Sequence, residues 1–204
     1  MKRYDALKSL AGIIAKEDII VTSIGGVKPE WYSVMPGDGT MFTDLLGCAT
    51  PMALGVAMAL PHRRVLAFDA DGSMLFGLGA LCTVANESPP NLTIVVFDNE
   101  QYESVTGGHR TATRGRADLE RIAAGAGIPC TATVRDTERL IDTVSKMLSD
   151  REAGLLVAKV EPGVFTNIAP ERYKESDGFE DKYRFIRYIE RLEKTTIRPR
   201  YVRE

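Results

Sequence analysis

The sequence predicts an α/β chain built as a doubly wound, mainly parallel sheet with helices on both faces. Two apolar runs, residues 64–68 and 92–97, lack the polar alternation of a half-exposed strand and read as strands buried on both sides. Segments of strand length alternate with segments whose apolar residues recur at helical spacing, an order that right-handed crossovers turn into a parallel sheet. Glycines and acidic residues follow the strand candidates, at the edge where open α/β sheets bind ligands.

Taken in order, Tyr4, Leu7, Leu10, Ala11 and Ile14 recur at helical spacing. Residues 18–24 read as a strand ending at Gly25-Gly26. Pro29 opens a short helix, and Pro51 fits the first turn of a helix over residues 48–60. After Pro61 comes the strand at Arg64. Residues 76–86 read as one apolar helix whose Gly77, Gly79 and Ala80 allow close backbone approach. Beyond the strand at 92–97, residues 99–117 read as a long polar loop. A helix over 118–125 follows, with Asp118 as its N-cap, because a carboxylate there can accept from an otherwise unpaired backbone N–H. A strand at 130–133, a helix at 137–148 and a strand at 154–160 complete the layers.

Composition narrows the function classes. The 204 residues are 44% hydrophobic with a formal charge of -2, enough for one globular domain plus an appendage. We therefore divide the chain into residues 1–161 and a C-terminal extension, 162–204. No stretch approaches the roughly 18 apolar residues of a membrane span, and the N-terminus lacks a secretory apolar region, so a cytoplasmic protein is expected. The charge balance gives no support to nucleic-acid binding. Cys48, Cys82 and Cys130 are too far apart in sequence for metal-ligand spacing and read as reduced core residues.

Chemistry concentrates after the two buried strands, at Asp69-Ala70-Asp71-Gly72-Ser73 and Asp98-Asn99-Glu100-Gln101-Tyr102. Carboxylate and amide oxygens from neighbouring strand ends are hard ligands, suited to a small divalent ion that also takes phosphate oxygens. Asp71 and Asn99 are the candidate side-chain ligands, and the Gln101 carbonyl can complete an octahedron. Gly72 allows a phosphate to approach the backbone, and Ser73 can donate a hydroxyl. The alternative is an ordinary strand-to-helix turn.

The Asp71-Gly72-Ser73 string with its distant Asn99 resembles the motif of thiamine-diphosphate-dependent decarboxylases, usually written Gly-Asp-Gly followed by Asn-Asn. Ala70 and Asp98 depart from that pattern, at positions that do not ligate metal. Residues 44–49, with a small-residue stretch at 55–59, resemble the segment that places a bulky residue between the two cofactor rings. By this resemblance Leu46 is that wedge, and the Asp44 carbonyl accepts from the aminopyrimidine. Core packing is the other reading of Leu46. Residues 42–47, 65–80 and 91–108, including Thr106-Gly107-Gly108, are similar to the family of sulfopyruvate decarboxylase β subunits and phosphonopyruvate decarboxylase. The resemblance reaches residue 160 and implies a thiamine-diphosphate-binding fold.

It also implies a function: a magnesium- and thiamine-diphosphate-dependent 2-oxo-acid decarboxylase subunit that releases CO2 and an aldehyde from a small anionic substrate. In that family the glutamate that activates the cofactor sits on a separate pyrimidine-binding domain, so an α subunit must supply it in a hetero-oligomer. Carboligase, oxidoreductase and non-catalytic regulatory subunits use the same cofactor-binding unit and stay open. Residues 107–116 carry His109, Arg110, Arg114 and Arg116. They can close over an anionic substrate, with His109 handling a proton, or form a solvated or partner-ordered segment. Phe179, Tyr183, Ile186, Ile189 and Leu192 share a helical face, to be buried on this domain or, through a link over 162–174, on another chain.

Overall fold

The computed structural model describes residues 1–103, 108–166 and 178–197. Its centre is a six-stranded, all-parallel sheet in the order β2-β1-β3-β4-β8-β7. The strands are β1 (Ile19–Thr22), β2 (Thr40–Phe42), β3 (Val65–Ala70), β4 (Leu92–Asp98), β7 (Cys130–Val134) and β8 (Gly154–Lys159); β5 and β6 form a separate hairpin described below. Helices α1 (Arg3–Ala11), α2 (Val27–Val34) and α7 (Thr137–Asp150) contribute to one apolar layer. The other layer includes residues of α3 (Ala49–Ala59), α4 (Asp71–Phe76), α5 (Gly79–Glu87), α6 (Leu119–Ala126) and α8 (Gly178–Glu193).

Strand periodicity divides the core between these layers. Val65, Ala67, Ile94, Val96, Leu155 and Val157 point to the α3 side, while Leu66, Phe68, Val95, Phe97, Leu156 and Ala158 point to the α1 side. Successive strand residues face opposite ways, and here both faces are dry, so the apolar runs are continuous.

The helix over 118–125 corresponds to α6, and Asp118 Oδ1 accepts from the Arg121 amide at 3.1 Å. Other boundaries move. Helix α2 begins at Val27, which puts Pro29 inside its first turn. The helix expected over 76–86 is α5, beginning at Gly79, and a further helix not read from the sequence, α4, starts on Asp71 itself and ends at Phe76. Strand β2 was not legible: its three residues are too few to show a period, and tertiary contact holds them, including Trp31 Nε1 donating to Thr40 Oγ1 at 3.0 Å.

Helix α8 packs on this domain, with a face that shares Ile189 with the one the sequence suggested and is otherwise rotated from it. Phe185 and Ile189 are buried, whereas Phe179 and Tyr183 are exposed. The buried row begins at Asp181, whose charge is paired with Arg184 at 3.4 Å, so hydrophobicity alone misplaces it. Arg184 also donates to Thr40 O at 2.8 Å and Gly37 O at 2.9 Å, fastening α8 over the β2 edge. Residues 167–174 of the expected link, Thr106 and Gly107 lie outside the described residues.

Truncating Phe185 should expose the dependence of the fold on α8. Phe185→Ala is expected to cost about 3–5 kcal/mol in urea unfolding, and Phe179→Ala, at an exposed position, less than about 0.5 kcal/mol.

Candidate active site

Strand register builds the site. Ala70 on β3 lies opposite Phe97 on β4, so the next residues along each chain, Asp71 and Asp98, stand side by side at the carboxyl edge. Both are buried, as are Ser73 and Asn99. Two local turns follow β4: the Glu100 amide donates to Asp98 Oδ1 at 3.1 Å and the Gln101 amide to Asn99 Oδ1 at 3.0 Å. Glu100 adopts φ 63°, a left-handed conformation uncommon for a residue with a side chain and typical of constrained functional turns.

The segment expected to be a loop folds back on this edge. Strand β5 (Gln101–Tyr102) pairs antiparallel with β6 (His109–Arg110), and a 3-10 turn covers Ala112–Arg114. Thr111 and Thr113 are thereby buried against the strand ends. Thr111 Oγ1 donates to Asp71 Oδ2 at 2.6 Å, and Thr113 Oγ1 to Asp98 Oδ1 at 2.8 Å. Lys159, the last residue of β8, places its ammonium 2.6 Å from Asp98 Oδ2. Burial works against the Lys159 charge, but the hydrogen bond and charge of Asp98 outweigh it and push the ammonium up.

Asp71 is unequally satisfied. Its Oδ1 is buried and meets no hydrogen-bond partner among the described residues. Burial pushes its carboxyl up to about 6; the Thr111 hydrogen bond resists that and the Asp98 charge adds to it. A buried carboxylate oxygen with no donor leaves room for a cation, because an unpaired buried charge is otherwise costly. Asp181 Oδ2 on α8 is in the same state, so it is the place of Asp71 at the carboxyl edge of the sheet that makes it the candidate. No group of three or more His, Cys, Asp or Glu suited to a metal occurs among the described residues. An ion at Asp71 would therefore draw on amide, backbone and cofactor oxygens, the donor set that suits magnesium.

A cleft of about 40 Å³ runs beside this edge, lined by residues that include Ile24, Leu46, Gly72, Ser73, Asn99 and Gln101. Leu46, Gly72, Ser73, Asn99 and Gln101 are thus brought together as the sequence suggested. Asp44 is exposed, with its carboxylate 2.8 Å from Lys28 Nζ, which leaves a role to its backbone. Ser73 Oγ accepts from the Gly47 amide at 3.0 Å and so ties the Leu46 loop to α4. The loop is seated by glycine contact: a Cβ on Gly77 would lie 2.6 Å from Gly47 O, and Gly47 itself has φ 76°. Gly72 is covered by the Tyr102 ring, which a Cβ would meet at 2.4 Å.

His109 and Arg110 are exposed on β6 and do not line the cleft. Arg114 and Arg116 line a separate cavity of about 520 Å³ near Lys159 and Arg135. The sequence reading missed Thr111, Thr113 and Lys159, and also a charged cluster of which Arg3 and Glu103 line the cleft. There Arg3 forks onto Glu30 with two bonds of 2.9 Å and reaches Glu103 at 2.9 Å. Thr111 and Thr113 fall in the segment read as a loop, and Lys159 in the strand read at 154–160, where single polar residues carry no local signal.

The family described as "Thiamine pyrophosphate enzyme, C-terminal TPP binding domain" matches residues 29–158, more than half of the chain. The chain belongs to this thiamine pyrophosphate enzyme family. It is 32% identical over 162 residues to sulfopyruvate decarboxylase subunit beta of Methanocaldococcus jannaschii, covering 79% of this chain and 85% of that one. It is likewise 32% identical over 162 residues to phosphonopyruvate decarboxylase of Streptomyces viridochromogenes, of which it spans only 40%. In fold it matches benzoylformate decarboxylase from Polynucleobacter necessarius with a TM-score of 0.65 at 18% identity, over 81% of this chain and 34% of that chain. The chain thus spans most of that β subunit and a minority of the longer relatives.

Two outcomes test the site as a folded unit. Because the folded pKa of Asp71 exceeds its ordinary value of 3.8, its neutral form favours folding, and that contribution is lost as pH rises through about 6. Buried Asp69 is also pushed up and acts in the same direction. Urea-unfolding stability in EDTA should therefore fall between about pH 4 and pH 6, with a shallower fall in Asp71→Asn. Gly77→Ala should lower stability by about 1–3 kcal/mol through its clash with Gly47 O, read as a lower thermal midpoint.

Proposed function

We propose that the chain is the diphosphate-binding β subunit of a magnesium- and thiamine-diphosphate-dependent 2-oxo-acid decarboxylase, with its active site completed by a pyrimidine-binding α subunit. The observation that carries the proposal is the buried Asp71 Oδ1, which meets no hydrogen-bond partner among the described residues and lies between Ala70 and Gly72 of a cleft also lined by Leu46 and Asn99. Asp71, Asn99 and the Gln101 carbonyl would hold the magnesium ion. Gly72 and Ser73 would line the diphosphate, and the Asp44 carbonyl would meet the aminopyrimidine. Leu46 would hold the cofactor rings in the bent form. When bound, the cofactor supplies the carbon nucleophile and the electron sink that decarboxylation of a 2-oxo acid requires.

The shape of the cleft supports a shared site. About 40 Å³ is far below the roughly 300–1,000 Å³ of a cavity that encloses such a ligand. Apolar side chains at its rim, Leu45, Leu46 and Phe76, are exposed. An α subunit seated there would cover them, exclude water and bring the activating glutamate to the far side of the pyrimidine. The named relatives act on sulfopyruvate and phosphonopyruvate, which makes a short 2-oxo acid with a second anionic group the substrate class. His109, exposed on the hairpin, would handle a proton only once a partner places it near the substrate. No helix among the described residues is long and apolar enough to cross a membrane, in keeping with a cytoplasmic assembly.

The chain alone should retain thiamine diphosphate in a magnesium-dependent manner and release no CO2. Co-expressed with its α subunit, it should convert 3-sulfopyruvate or 3-phosphonopyruvate to CO2 and an aldehyde. Full turnover by the isolated chain would overturn the shared site; carboligation without free aldehyde would move the assembly to the carboligases.

A further inference from the structure

The site holds two adjacent carboxylates where a cation needs one, and their surroundings tell them apart. Asp98 is engaged on both oxygens. Its Oδ2 faces Lys159 Nζ at 2.6 Å, and its Oδ1 accepts from the Glu100 amide at 3.1 Å and the Thr113 hydroxyl at 2.8 Å. Asp71 is engaged on one side only. Its Oδ2 meets the Thr111 hydroxyl at 2.6 Å and the Thr113 hydroxyl at 3.2 Å, and its buried Oδ1 meets no donor among the described residues.

Proton counting fixes the roles of the two threonines. Their hydroxyls lie 2.8 Å apart, and each has a single proton to give. Each carboxylate receives one proton only if Thr111 donates to Asp71 and Thr113 donates to Asp98, which in each case is the shorter contact. The backbone enforces this placement: the Thr111 amide donates to Glu100 O at 3.1 Å, and both threonines are buried.

We propose that Thr111 and Thr113 are positioning residues for the cation ligand, tying Asp71 Oδ2 in place and holding Asp98 against Lys159, so that Asp71 Oδ1 alone is presented to a divalent ion. This rests on the reading above that Asp71 ligates the ion. The hydroxyls restrict rotation of the Asp71 carboxylate, and the Thr113–Asp98–Lys159 chain keeps the second carboxylate from competing for the ion. The hairpin after Asn99 thus serves the site through its threonines, which face inward, rather than through His109 and Arg110, which face out.

The test uses Mn²⁺ as the probe, with the full chain and thiamine diphosphate, reading free and bound Mn²⁺ by electron paramagnetic resonance. Thr111→Val keeps the shape and removes the hydroxyl; it should weaken Mn²⁺ binding about 10–100-fold and alter the spectrum of the bound ion. Thr111→Ser should restore both. Thr113→Val should shift both in the same direction and carries the test if Thr111→Val does not fold, as judged by far-ultraviolet circular dichroism. If folded valine variants bind Mn²⁺ as the unaltered chain does while Asp71→Asn does not, the positioning role is overturned and the cation site stands. If Asp71→Asn also binds unchanged, the cation reading fails and takes this proposal with it.

Discussion

The pairing of β3 with β4 is the constraint on which the site depends. Opposing Ala70 with Phe97 sets two carboxylates next to each other at a dry sheet edge. Like charges buried together repel strongly at low dielectric, so such a pair persists only where other groups absorb the charge. The surrounding structure supplies them. Lys159 comes from the end of β8, the strand on the other side of β4, and two hydroxyls come from a hairpin that returns to the same edge. Asp98 thereby has its charge paired within the chain, whereas Asp71 keeps one oxygen without a partner among the described residues.

The cleft beside that edge has a built wall and an open one. Its wall is fixed by contacts that leave little freedom: Gly47 against Gly77, Ser73 against the Gly47 amide, and the Tyr102 ring over Gly72. Arg3, which lines the cleft, and Glu30 are almost wholly buried, and Glu30 also accepts from the Phe165 amide at 2.9 Å. An ion pair of this kind stabilises little once desolvation is counted, but it admits few alternative arrangements. It therefore locks α1, α2 and the chain after β8 into one register. The open wall presents Leu45, Leu46 and Phe76 instead. Rigid polar machinery on one side and exposed apolar rim on the other is the form expected of half a composite site.

Much was legible from the sequence because it depends on local pattern. Continuous apolar runs gave the buried parallel strands at 64–68 and 92–97. Small residues after them marked the ligand-binding edge, and Asp118 marked a helix start. The motif residues Asp71, Gly72, Ser73, Asn99 and Gln101 could be named because they lie within a few positions of strands that could themselves be named. Strand β2 was too short to show a period, and the α8 face was misread because Asp181 is buried through pairing rather than hydrophobicity.

By itself, the sequence determined the α/β class and the sheet edge and named candidate oxygen donors there, because these follow from periodicity and residue chemistry over short windows. Only the tertiary structure decided which carboxylate is free. Thr111, Thr113 and Lys159 are tens of residues from Asp71 in sequence, and no local pattern encodes their approach. Hydrogen-bond satisfaction is a property of position in space, and it separates Asp71 from Asp98, which as isolated residues are chemically the same.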